Sequence, residues 1–88
     1  MIIKQLEMSE QMKEVVIQLA LEAVQKYKDY NDMAEHMKKC LDREFFPTWN
    51  CIVGCRVNFG WYIAHEPNHY ASFSLAKIDF VLFKSAHE

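Results

Sequence analysis

Glycine and proline are scarce, two of each in 88 residues, and no repeat, linker or low-complexity segment interrupts the chain. A single domain over residues 1–88 is expected. Blocks of like charge are also missing. Ten Lys and Arg stand against twelve Asp and Glu, spread along the sequence to a net charge of −2, which argues against a nucleic-acid partner. The opening Met1-Ile2-Ile3-Lys4-Gln5 has neither the basic n-region nor the apolar core of a signal peptide, and no apolar run reaches membrane-spanning length. The expectation is a soluble cytoplasmic protein without membrane insertion. Cysteine is limited to three, an odd number that fits a reducing compartment in which Cys acts as a small apolar residue. No structural disulfide is expected.

Apolar residues, by contrast, are abundant. Hydrophobic residues make up 51% of the chain and aromatics 14%, more apolar surface than one small core readily hides. A domain this short gains only a few kcal/mol from its own core. Both points indicate an interface, with self-association the first expectation.

In chain order, Ile2, Ile3 and Leu6 predict a short strand at a sheet edge. Ser9 is a helix N-cap, with Glu10 and Glu14 suited to the positive end of the dipole. Met12, Val15, Val16, Leu19, Ala20, Ala23, Val24 and Tyr27 then recur at helical spacing. Lys28 to Asp32 breaks the stripe and supplies turn and cap residues for a second helix reaching about Phe45, its buried side formed by Met33, Met37, Cys40, Leu41 and Phe45. So short a connection makes the helices antiparallel. Glu35 and Lys39 form an exposed pair, and Pro47 ends the helix by disfavouring helical geometry at Phe46.

Beyond Pro47 the pattern changes to strands. Trp49, Cys51, Val53 and Cys55 alternate with Asn50, Ile52, Gly54 and Arg56, Val57 to Gly60 reads as a turn, and Trp61 to His65 as a second strand of this hairpin. Pro67-Asn68 reads as a turn into Tyr70 to Leu75, with Ala71, Phe73 and Leu75 inward and Tyr70, Ser72 and Ser74 outward. Ile78 to Phe83 closes the sheet. The fold class is α+β, with two antiparallel helices on an antiparallel sheet.

Candidate chemistry is thin. Cys51 and Cys55 followed by His65 and His69 superficially resembles a zinc site. Yet residues four apart on a strand lie about 13 Å apart, and Pro67 keeps His65 and His69 off one helical turn. A cysteine nucleophile would need a His base and an oxyanion hole, and nothing glycine-rich follows any cysteine. No metal, cofactor or catalytic activity is expected. His36, four residues after Asp32, reads as a capped or ion-paired histidine, the methionines as core filler, and Lys38-Lys39 as a solvated face. What stands out is Phe59, Trp61 and Tyr62 beside an unusually apolar sheet. Such a hairpin is either a well-packed edge or a site where an extended peptide adds to an open edge.

Phe46-Pro47-Thr48-Trp49-Asn50-Cys51-Ile52-Val53-Gly54, Asn58-Phe59-Gly60, His65-Glu66 and Leu82-Phe83-Lys84-Ser85 resemble the small dimeric dynein light chain family. Met8-Ser9-Glu10 and Asp32-x3-His36-x-Lys38-Lys39 agree, so the resemblance covers nearly the whole chain. It implies a strand-swapped homodimer in which Trp61 to Glu66 crosses to the other subunit's sheet, with the helices outside. It also implies a non-catalytic clamp that takes short disordered segments, such as dynein intermediate chain, into two grooves within a cytoplasmic microtubule motor complex. The alternative is a general dimerisation hub for disordered partners without a dynein role.

By the same resemblance, Asn58, Phe59, Gly60, Trp61, Tyr62, Ile63, Ala64 and His65 supply the groove's edge and lining, flanked by Tyr70, Ser72 and Ser74. Tyr30 and Asn31 present free helix N-terminal N–H groups to a target glutamine. Lys39, Asn50, Trp61, Tyr62, Ile63 and Ala64 form the implied dimer interface. The chain departs from the family pattern in places. It is two residues longer between Gly54 and Gly60, an even insertion that keeps the strand faces in phase. Trp61 stands for serine, Ala64 for threonine, Ser72 and Ser74 for tyrosines, and Asn31 for lysine. Asn50 replaces an interface histidine, which removes a protonation switch at that site. Ser85 matches a phosphorylated family position, here followed by Ala86.

Overall fold

The computed structural model describes residues 1–55 and 65–85, the side chains of 65 and 66 excepted. The element order is β1 (Ile2–Glu7), α1 (Glu10–Lys26), α2 (Tyr30–Phe45), β2 (Trp49–Gly54), β3 (His65–Leu75) and β4 (Ile78–Ser85). The α+β class expected from the sequence is observed. Ser9 starts α1, its Oγ accepting the Met12 N–H at 3.2 Å, and Asp29 starts α2. Glu10 in the first turn and Lys26 in the last complement the dipole of α1. The α2 helix stops at Phe45, and Phe46, 77% exposed, takes φ 64°, a conformation that is unfavourable for a bulky residue.

The strands form one antiparallel sheet in the order β1-β3-β4-β2. Register explains its two faces, because directly paired residues project to the same side. Cys51, Leu82 and Ala71 form one row and Val53, Phe80 and Phe73 the next. These rows meet Val16, Ala20 and Ala23 of α1 and Met33, Met37 and Leu41 of α2 in one core with Trp49. Phe73 and Phe80 stack at 5.2 Å with 11° between their planes. The alternate residues Asn50, Ile52, Tyr70, Ser72, Val81 and Phe83 project away from the helices. The inward set expected on β3 thus faces the helices. Tyr70 and Ser72 face the other way as expected, although both are 93% buried or close to it, at 7% exposure each.

Two sequence expectations change. Pro67-Asn68 is not a turn between strands. It lies inside β3 as an irregularity between the His65–Ser85 and Tyr70–Phe83 pairs. Pro67 has no N–H for the ladder, and Asn68 accepts φ 63°, which Asn tolerates better than most residues. Second, β4 does not close the sheet; it lies inside it, between β3 and β2, and among the described residues β1 and β2 are the edges. β2 pairs with β4; of the strand expected at Trp61 to His65 only His65 is described, at the start of β3, and the rest lies outside the described residues.

The β3–β4 connection is a two-residue hairpin at Ala76-Lys77, both left-handed at φ 53° and 65°. Such turns match strand twist but favour Asn-Gly. Ala and Lys there cost roughly 1 kcal/mol each. Lys77→Gly should therefore stabilise the fold by about 1 kcal/mol, read as a higher midpoint in chemical denaturation with an unchanged slope. A lower midpoint would mean that the turn is not strained.

Candidate functional site

The joint between α2 and β2 is built by Asp42. From the last turns of α2, its Oδ1 accepts the Trp49 N–H at 2.7 Å, and its Oδ2 meets Lys38 Nζ at 2.5 Å. Burial pushes this carboxyl up, but the bonds from Lys38 and Trp49 and the charges of Lys38 and Lys84 prevail and hold it below the usual range. Lys84 Nζ also donates to the Phe45 carbonyl at 3.4 Å. These contacts fix β2 along α2.

At the other end of that seam, a cavity of about 500 Å³ is lined by Lys28, Asp29, Tyr30, Asn31 and Val53. Tyr30 is 40% exposed; loss of water around its hydroxyl, then the neighbouring Cys55 thiol, raises its pKa. The sequence-derived pair Tyr30 and Asn31 is thus together at the cavity, joined by Val53, which sequence reasoning did not select. The Asn31 N–H is not free, contrary to expectation. It donates to Asp29 Oδ1 at 2.7 Å, because a helix's first N–H groups lack intrahelical partners and an Asp at the N-cap supplies one. The Asp at position 29 was legible as a turn and cap residue; that its cap occupies a groove donor was the missed consequence.

The other site residues are placed as follows. Tyr70, Ser72 and Ser74 lie on β3, separated from β2 by β4, on the face away from the helices. The Ser74 hydroxyl donates to Asp79. These three residues do not join the cavity at Tyr30 and Asn31 within one chain. Asn58, Phe59, Gly60, Trp61, Tyr62, Ile63 and Ala64 lie outside the described residues, and His65 is described only as the backbone start of β3, paired with Ser85. Asn50 Nδ2 donates to Ser85 Oγ at 2.7 Å on the face away from the helices. Lys39 is well exposed and pairs with Glu35 at 2.7 Å as expected; the pair raises the Lys39 pKa and lowers that of Glu35.

A second cavity, about 370 Å³, opens beside α2 and is lined by Tyr27, Asp32, Glu35, His36, Lys39, Cys40 and Arg43. Here His36 pairs with Glu22 of α1 (Nε2 to Oε2, 3.8 Å) and lies against the Tyr27 ring at 5.4 Å. The carboxylate it meets is therefore on the neighbouring helix and is not Asp32. Among the described residues no group of His, Cys, Asp and Glu is placed to hold a metal ion. His69 contacts the Trp49 ring at 5.8 Å, and the three cysteines are free. Burial pushes the Cys51 thiol up to about 12, which suits a core residue and not a nucleophile. No helix among the described residues is long and apolar enough to cross a membrane.

A sequence profile described as dynein light chain type 1 matches residues 1–85. The chain belongs to this dynein light chain family. Two solved structures similar to it are the native and mercury-derivative forms of the dynein light chain-like domain of the Fasciola hepatica calcium binding protein FhCaBP2. The native form has a TM-score of 0.84 at 18% identity, covering 97% of this chain and 90% of its own. The mercury derivative has a TM-score of 0.81 at 18% identity, covering 97% and 91%. At that identity the likeness shows the fold.

Asp42→Ala should destabilise this dynein light chain by about 1–3 kcal/mol, since it strands the Trp49 N–H. The carboxyl is held low in the folded state, so its contribution is present above the unfolded carboxylate pKa and lost as pH falls through the lower folded value. Denaturant midpoints of the native protein and the Ala variant should converge at acid pH; a constant gap across pH would exclude this role.

Proposed function

We propose that the protein is a non-catalytic dynein light chain that forms a strand-swapped homodimer and binds short disordered segments, dynein intermediate chain among them, by β-strand addition. The observation that carries this reading is the edge position of β2: among the described residues no strand lies beyond it, and it is fixed against α2 by Asp42. An open edge offers a row of main-chain donors and acceptors to an added strand. The resemblance assigns Trp61 to Glu66 as the strand that crosses from the partner, leaving the target to run between it and α2; His65 and Glu66 here already begin β3, with His65 paired to Ser85 of the same chain, so the crossing part is Trp61 to Ala64. On the sheet face away from the helices Val81 and Tyr70 are already buried within one chain, which leaves the half-buried Ile52 and Phe83 as the apolar surface there for a two-subunit assembly. Family membership supports a place in a cytoplasmic, microtubule-associated motor complex.

Sedimentation should give a dimer. An amide NMR titration with a peptide carrying the family's Thr-Gln-Thr core should then give saturable shifts at residues 58–65 and at Asn31. A monomer without shifts would overturn the reading. Recovery of dynein intermediate chain in a pull-down separates the motor role from a general hub for disordered partners. With Asn50 bonded to Ser85 in place of an interface histidine, the dimer should persist between pH 7 and pH 5; dissociation in that window traced to position 50 would contradict this.

A further inference from the structure

Away from β2, the α2 helix carries a cluster built around Cys40. Its Sγ lies 3.8 Å from Nδ1 and 4.0 Å from Nε2 of His36, one turn earlier, and Arg43 Nη2, one turn later, donates to it at 3.6 Å. Glu22 Oε2 of α1 is 3.8 Å from His36 Nε2. A thiol beside an imidazole that a carboxylate in turn approaches is the arrangement of an activated nucleophile, and the guanidinium adds a positive charge next to the sulfur. Cys40 also lines the cavity of about 370 Å³, which gives a small reagent a way to it. We propose that Cys40 is a site of S-thiolation by a small zwitterionic disulfide of the glutathione type. Asp32 and Glu35 share the cavity wall with Lys39 and Arg43, so charges of both signs are present for a peptide that bears carboxylates and an ammonium group. Acyl transfer would require an oxyanion hole, but thiol–disulfide exchange does not. The Cys40 sulfur attacks one sulfur of the disulfide, the new S–S bond forms as the old one breaks, and the second glutathione leaves as a thiolate. The thiol proton passes to His36, whose charge then faces Glu22, and from there to the leaving thiolate. Lys38 and Asp42, which fix β2, do not line this cavity, so the site is separate from the β2 edge and independent of the groove reading.

The test treats the full chain with glutathione disulfide under native conditions and follows the adduct at each cysteine by intact mass and peptide mapping. Cys40 is buried and Cys55 exposed, so a thiol that is only core filler should react far more slowly than Cys55. Cys40 should instead gain one glutathionyl group at least as fast as Cys55, and dithiothreitol should remove it. Arg43 is exposed, and Arg43→Gln should slow Cys40 by roughly two- to fivefold, the range of an exposed charge. His36→Gln should slow it as well. The Cys55 rate should stay the same in both variants, with circular dichroism confirming that the helices are kept. Reaction of Cys55 while Cys40 stays free, or equal Cys40 rates in the native protein and both variants, would overturn the proposal.

Discussion

The bond from the Trp49 N–H to Asp42 fixes the geometry on which the rest of the molecule depends. Phe46 leaves the helix at φ 64°, so the chain turns sharply between α2 and β2 and needs something to set where the new strand begins. Asp42 does this from inside the preceding helix, seven residues back, with Lys38 balancing its charge. With Trp49 placed, its indole is fully buried, and the inward alternation of Cys51 and Val53 follows without further instruction. A slip of one residue would send Asn50 and Ile52 into the core in their place.

That register gives the sheet two unlike faces. One is closed by the helices and filled with Phe73, Phe80, Leu82 and the methionines of α2. The other carries Ile52, Val81 and Phe83 between polar residues such as Asn50, Ser72 and Ser85. Fully burying each large apolar side chain contributes about 1.5–3 kcal/mol, and a chain of 88 residues has few of them to set against the entropy of ordering its backbone. On the second face Val81 and Tyr70 are buried within the single chain, so that face adds to the chain's own stability as well.

The helical half was legible in the sequence because its signals are local. An uninterrupted 3.6-residue stripe, Ser9 and Asp29 at the caps and Pro47 after the end each act within a turn of where they stand. The sheet was less legible because strand order depends on pairing between distant segments. Ala76-Lys77 has no glycine or asparagine to announce a tight hairpin, and Pro67 looked like a turn though β3 passes through it. At the candidate site, resemblance placed Tyr30 and Asn31 correctly at the start of α2, yet it did not foresee which atoms would be free there. Val53 was invisible as a site residue because its contribution depends on β2 lying beside that helix end.

Asp29 shows why a site can keep its position while its chemistry changes. A helix start carries several N–H groups without internal partners, and they have the same need whether a target or the protein itself meets it. Asp29 meets it from within, which secures the first turn of α2. Strand addition along the sheet edge draws on main-chain groups and is indifferent to this exchange, whereas recognition of a particular side chain is not.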